Sequence, residues 1–123
     1  MEADDQLLVV VTHARIRSQG HDAFNHLVDQ VESTLTSMPG LYGYSLRKEL
    51  LGDQAWTMTV WSDESSMFDF NSSQVHIHAM SSAKSLLKQA RFARVQVDRA
   101  DLPYSWDDAI QLLETQSRAY DFN

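Results

Sequence analysis

The chain has 123 residues, no cysteine, and 17 acidic against 10 basic residues for a net charge of −7. That length suits one domain, residues 1–123, with a core large enough to stand without staples, and the missing cysteine excludes disulfides, thiolate metal sites and cysteine nucleophiles. The acidic balance disfavours a nucleic-acid partner. The longest apolar run, Leu7 to Val11, is far short of the ~20 residues of a membrane span, and the acidic start Met1-Glu-Ala-Asp-Asp5 is unlike a secretory signal, so a cytoplasmic protein with no membrane partner is expected.

Leu7 to Arg17 is β-branched, free of Gly and Pro, and alternates after Val11, which predicts a strand. One face carries Leu8, Val10, Thr12, Ala14 and Ile16. The other carries Leu7, Val9, Val11, His13, Arg15 and Arg17, and turns polar halfway. Phe24, Leu27, Val28, Val31, Leu35 and Met38 then recur at three- and four-residue steps, an apolar helical stripe over Asp22 to Met38 that Pro39-Gly40 stops. A second strand is predicted over Leu41–Leu51 and a third over Gln54–Trp61, joined at Gly52-Asp53 as a hairpin. Ser62 reads as a helix N-cap ahead of Asp63 and Glu64. That helix carries Met67, Phe68 and Phe70, breaks at Asn71-Ser-Ser73, and resumes over Gln74 to Leu87. A fourth strand spans Ala90 to Asp98. After Leu102-Pro103, Ser105 and Asp108 form a capping box for a last helix with a Trp106, Ile110, Leu113 stripe. Ser117 to Asn123 carries no signal.

The order β-α-β, β-α-β, helix predicts an α+β, ferredoxin-like domain. It has a four-stranded antiparallel sheet with both helical segments on one face and an extra C-terminal helix. The other sheet face is then left bare, too apolar for water, and a second copy of the same face is the simplest cover, giving a homodimer.

Pro39-Gly-Leu-Tyr-Gly-Tyr-Ser-Leu-Arg47, Thr57-Met-Thr-Val-Trp61, the acidic helix start at Asp63-Glu64, Phe70, His76 ahead of Ala79-Met80, and Leu102-Pro-x-Ser-Trp-Asp-Asp-Ala109 together resemble the dimeric α+β barrel superfamily, within it antibiotic-biosynthesis monooxygenase-like proteins. The resemblance covers roughly residues 7–113. It implies a dimeric α/β barrel and a small-molecule tailoring enzyme acting on an aromatic or polyketide-like substrate. In the cofactor-free oxygenases of this group an electron-rich phenolic substrate is deprotonated and reacts with oxygen itself, so no cofactor is expected. The haem-degrading branch places Asn, Trp and His where this chain has His13, Phe70 and Met80, a departure from the haem pattern. A non-catalytic ligand- or protein-binding dimer and a non-oxidative cyclase or lyase remain the alternatives.

His13 reads as a base or hydrogen-bond donor in a cleft between the helix-free sheet face and the second helix, or as an interface residue bonded to a neighbour. Arg15 shares its face. Its guanidinium suits an anionic or phenolate substrate and equally a pairing with Glu49 or with an acid across the dimer. His76 and His78 stand two residues apart on a helix, about 200° around it, so they cannot share one ion and no metal site is expected. His76 occupies the position the resemblance assigns to the pocket. His13 and His76 are therefore the expected proton-handling residues, and Arg15, Tyr44, Trp61, Phe70, His78 and Met80 the expected substrate-binding set. Trp61 lines the cleft or begins the helix turn, and a one-residue shift of register would turn Tyr44 to the opposite face.

Overall fold

The computed structural model describes residues 6–49 and 52–121. In chain order it contains β1 (Gln6–Ile16), α1 (His21–Leu35), β2 (Leu41–Lys48), β3 (Gln54–Trp61), α2 (Glu64–Asn71), α3 (Gln74–Leu86), β4 (Leu87–Asp98), a 3-10 turn (Arg99–Asp101), α4 (Trp106–Gln116) and β5 (Arg118–Asp121). The expected β-α-β-β-α-β order is present. The sheet is antiparallel, in the order β2-β3-β1-β4-β5. Leu50 and Leu51, the expected end of the second strand, lie outside the described residues, as does the acidic Met1–Asp5. No helix among the described residues is long and apolar enough to cross a membrane.

The sheet has five strands where four were expected. Arg118–Asp121 pairs with β4 from Gln89↔Asp121 to Phe92↔Arg118. All four β5 residues are exposed, so this edge strand has no buried face and writes no alternation into the sequence.

Local chemistry fixes the joints. Gly40 sits at φ +85°, and a Cβ there would overlap the Ser66 side chain, so the turn into β2 requires glycine. The N-cap of α2 is Asp63 rather than the expected Ser62: its carboxylate accepts from the Ser66 N–H at 2.7 Å, a bond that also holds its pKa below the ordinary value. Ser62 Oγ instead donates to the Gly40 carbonyl at 2.8 Å. Ser105 caps α4 as expected, accepting from the Asp108 N–H at 3.0 Å.

β1 is central and apolar on both faces. Its Leu8, Ala14 and Ile16 face α1, α2 and α3, within two separate clusters: Leu8, Leu35, Trp61, Met67 and Phe70 at one end, and Ala14, Ile16, Ala55, Leu87 and Ala90 at the other. The opposite face was expected to be bare of helices. α4 covers half of it: Ala109, Leu112 and Leu113 close over Leu7, Val9, Val11, Met58, Val60 and Ala93. The apolar half of that face is thus buried within the chain, because the cis-acting helix reaches it without the entropy cost of association. Leu113 is fully buried under this arrangement. Leu113→Ala is expected to lower the unfolding free energy by about 2–5 kcal/mol in urea titration; a loss below about 0.5 kcal/mol, the scale of a surface change, would show that α4 does not dock there.

Candidate functional site

The pleat sorts the expected site residues onto opposite sides of the sheet. His13 pairs with Trp56 on β3 and Arg91 on β4, on the α4 side. Trp61, Phe70 and His76 lie on the side of α1–α3, where Trp61 joins the cluster containing Leu8 and Phe70. His13 and His76, expected to share one cleft, are therefore separated by the sheet.

His13 is 1 % exposed and fully bonded. Its Nε2–H donates to Gln54 Oε1 at 2.7 Å, and its Nδ1 accepts from Arg91 Nε–H at 3.3 Å. Gln54 Nε2 in turn donates to Glu49 at 3.3 Å, and the ring packs on Trp56 at 5.2 Å. This arrangement requires the neutral imidazole. Burial holds its pKa below the ordinary 6.5, assisted by Arg91 and Arg15, while the bond to Gln54 acts in the opposite direction. With both ring nitrogens engaged, His13 organises the strand centre. Arg15 is exposed on the same side. It makes no ion pair with Glu49, whose carboxylate is taken by Gln54.

On the helix side three aromatic rings form a row. Trp61 and Phe70 have centroids 5.5 Å apart, and Phe70 and His76 meet edge-on at 5.0 Å. Trp61 Nε1–H donates to Thr59 Oγ1 at 2.9 Å, which places its indole toward the sheet and beneath the helices. His76 is half-buried, and burial lowers its pKa while a hydrogen bond to the main chain of Asn71 opposes the shift. It is a neutral base near pH 7. Ser73, which read as a loop serine, accepts from the His76 N–H at 3.2 Å and so steadies the start of α3. His78 points elsewhere, into an open groove of about 440 Å3 that it shares with Gln30, Ser33, Thr34 and Gln74. Among the described residues no three His, Asp or Glu side chains gather as metal ligands. Met80 is exposed. Tyr44 faces α1, where its hydroxyl donates to Glu32 at 3.1 Å and is held protonated by that bond.

The middle of the helix-facing sheet surface was not among the expected site residues. Thr12 pairs with Thr57, and Val10 with Thr59. All four are only half-buried although three helices lie over this face. On α1 only Leu35 is buried; Phe24, Leu27, Val28 and Val31, the apolar stripe, are half-buried. The helices pack tightly at both ends of the face, where Trp61 and Phe70 are buried, and leave Thr12, Thr57 and Thr59 half-buried between. Thr59 Oγ1 is bonded to Trp61, while the half-buried hydroxyls of Thr12 and Thr57 are left to water or a ligand. The signal in the sequence was three threonines in phase with Leu8 and Trp61. His13, expected in the cleft, is one residue away from Thr12 and on the opposite side of the pleat.

The sequence profile of the antibiotic biosynthesis monooxygenase family matches residues 7–82, from β1 into α3. No curated protein matches the sequence. Among solved structures, the chain is similar to a conserved protein from Methanosarcina mazei, with TM-score 0.69 and 16 % identity over 76 % of this chain and 94 % of that one. It is also similar to a protein from Mycobacterium tuberculosis, with TM-score 0.68 and 14 % identity over 80 % and 99 %. A third is a cofactor-independent oxygenase from Streptomyces nogalater, with TM-score 0.62 and 15 % identity over 81 % and 99 %. At such identities these likenesses show the fold.

His13 and His76 both titrate below 6.5 in the folded chain, so the unfolded chain takes up these protons first. The stability carried by the neutral rings is complete above about pH 6.5 and is lost as the pH falls from there through the folded values. The melting temperature is expected to fall between about pH 7.5 and pH 5. His13→Gln, which keeps a donor and an acceptor but cannot titrate, should fall less over the same interval. An equal fall in both proteins would show that His13 does not contribute to the pH dependence.

Proposed function

The chain belongs to the antibiotic biosynthesis monooxygenase family, and from that premise we propose that it is a homodimeric small-molecule tailoring enzyme that oxygenates an aromatic or polyketide-like substrate without a cofactor. The observation that supports a cleft there is the half-buried Thr12–Thr57 pair beneath α1–α3, with neutral His76 on the same side of the sheet. A planar substrate would pack beside His76 and against Val10 and the half-buried α1 stripe. Thr12 and Thr57 would bond its oxygens, and His76 would remove its proton. The deprotonated, electron-rich ring would then reduce oxygen itself. For an activated methylene the balance is one CH2 and one O2 giving one C=O and one water: a C–O bond forms, the peroxide O–O bond breaks, and the second oxygen leaves with both hydrogens. The cofactor-independent oxygenase from Streptomyces nogalater with this fold supports the same chemistry. The open, polar half of the α4-side face supports the dimer.

Arg15 lies across the sheet from this cleft and His13 is saturated, so neither enters the proposed reaction. The experiment is oxygen uptake with a panel of electron-rich polycyclic phenols bearing an activated methylene. His76→Gln is expected to lower kcat by about 10²-fold or more. Thr12→Val with Thr57→Val should act mainly on KM, and His13→Gln should leave kcat within a few-fold. Unchanged turnover in His76→Gln overturns the base assignment. A wild-type protein that binds these phenols without consuming oxygen points instead to a ligand-binding dimer.

A further inference from the structure

An unbroken helix would carry α2 straight into α3, and the Asn71 carbonyl would accept from the Val75 N–H. The break between Asn71 and Gln74 prevents that. Ser72 N–H donates to the Phe68 carbonyl at 2.9 Å, Ser73 N–H to the Phe70 carbonyl at 3.0 Å, and Ile77 N–H to the Ser73 carbonyl at 2.9 Å. The Asn71 carbonyl falls between these bonds, and among the described residues no backbone N–H donates to it. It accepts instead from the His76 side chain. The interruption thus frees a carbonyl that a continuous helix would have used.

Two further contacts hold the same residue. Ser73 Oγ accepts from the His76 main-chain N–H at 3.2 Å. Ser73 is therefore the N-cap of α3, and it ties the His76 backbone to the break. The Phe70 ring meets the imidazole edge-on at 5.0 Å, and Phe70 is itself buried beside Trp61 at 5.5 Å. The backbone of His76, one ring nitrogen and one side of the ring are all held from the short segment Phe70 to Ser73. A carbonyl that accepts from an imidazole keeps the proton on the nitrogen facing it, and so leaves the lone pair on the other.

We propose that the α2–α3 break is a positioning device for His76: Ser73 sets its backbone, the Asn71 carbonyl fixes its tautomer, and one ring nitrogen alone is left as the proton acceptor. A nucleophile or base oriented by a third group follows the same logic in other sites. Ser73 and Asn71 are positioning residues that act through His76. Asn71 acts by its main chain, so its side chain is replaceable, whereas Ser73 acts by its hydroxyl. The inference rests on the reading of His76 as the base and adds what orients it.

The test is long-range 1H–15N NMR of the imidazoles in the full chain, with oxygen uptake on the phenol panel beside it and circular dichroism on every variant. Above its titration midpoint, wild-type His76 is expected as a single tautomer. Ser73→Ala should give a mixture of tautomers at His76 while the His13 signals stay in place. Ser73→Thr, which keeps the hydroxyl, should restore the single tautomer, and Asn71→Ala, which keeps the carbonyl, should retain it. Ser73→Ala is also expected to lower kcat by about tenfold with KM little changed, as a misplaced catalytic group does. A mixture of tautomers in the wild type overturns the device without recourse to any variant. A folded Ser73→Ala protein that keeps the single tautomer overturns it too, and both results leave the base assignment standing. A tautomer lost in Ser73→Ala, with turnover unchanged in His76→Gln, upholds the device and overturns the base.

Discussion

Successive side chains of β1 point to opposite faces of the sheet, and the rest of the molecule is arranged around that alternation. β1 is the central strand, paired on both sides from Leu8 to Arg15, and both of its faces carry apolar residues that must be covered. Leu7, Val9 and Val11 are buried with α4, while Leu8, Ala14 and Ile16 are buried with the helices of the opposite layer. A single residue step therefore separates Thr12, half-buried under α1–α3, from His13, in the opposite layer. Slipping the strand by one would exchange every such pair, and the apolar residues on both faces hold the register against it.

Much of this was legible before the fold was known. The alternation in Leu7–Arg17, the stripe from Phe24 to Leu35, the Pro39-Gly40 stop and the Gly52-Asp53 hairpin each follow from local periodicity or turn chemistry. What escaped was information that local pattern does not contain. The Trp106, Ile110, Leu113 stripe reads the same whichever surface it covers, so the return of α4 over the sheet was invisible, and with it the burial of half the face assigned to a second copy. β5 is exposed throughout and has no pattern to read. His13 was singled out because histidine attracts chemical attention. Thr12, Thr57 and Thr59 were passed over because a threonine in a strand is ordinary. Only the packing around them distinguishes the two cases.

That distinction has a physical basis. A polar side chain inside a fold is either saturated or waiting. His13 is saturated: one nitrogen donates to Gln54, the other accepts from Arg91, and taking up a proton at Nδ1 would set two donors against each other. Its lowered pKa is the signature of a fixed neutral partner as much as of a base. Thr12 and Thr57 are only half-buried, and His76 borders Phe70 instead of a closed hydrogen-bond chain. A perturbed histidine therefore points to chemistry only where its surroundings leave it something to do.

The same reasoning applies to charge. Of the arginines on the strands, Arg94 faces the helices and pairs with Glu64 at 3.2 Å, an exposed contact worth little in stability. Arg15, Arg47 and Arg91 face the other way and have no such partner among the described residues. Placing three guanidiniums without ion pairs on one face raises their mutual repulsion, which the fold tolerates at an exposed surface because water screens it. α4 stops short of them and covers only the apolar end, as a helix with Ala109, Leu112 and Leu113 on its inner face must. The boundary between buried and open sheet is thus drawn by that helix. The step in polarity that the sequence shows midway along β1, between Val11 and His13, marks where the chain's own cover ends.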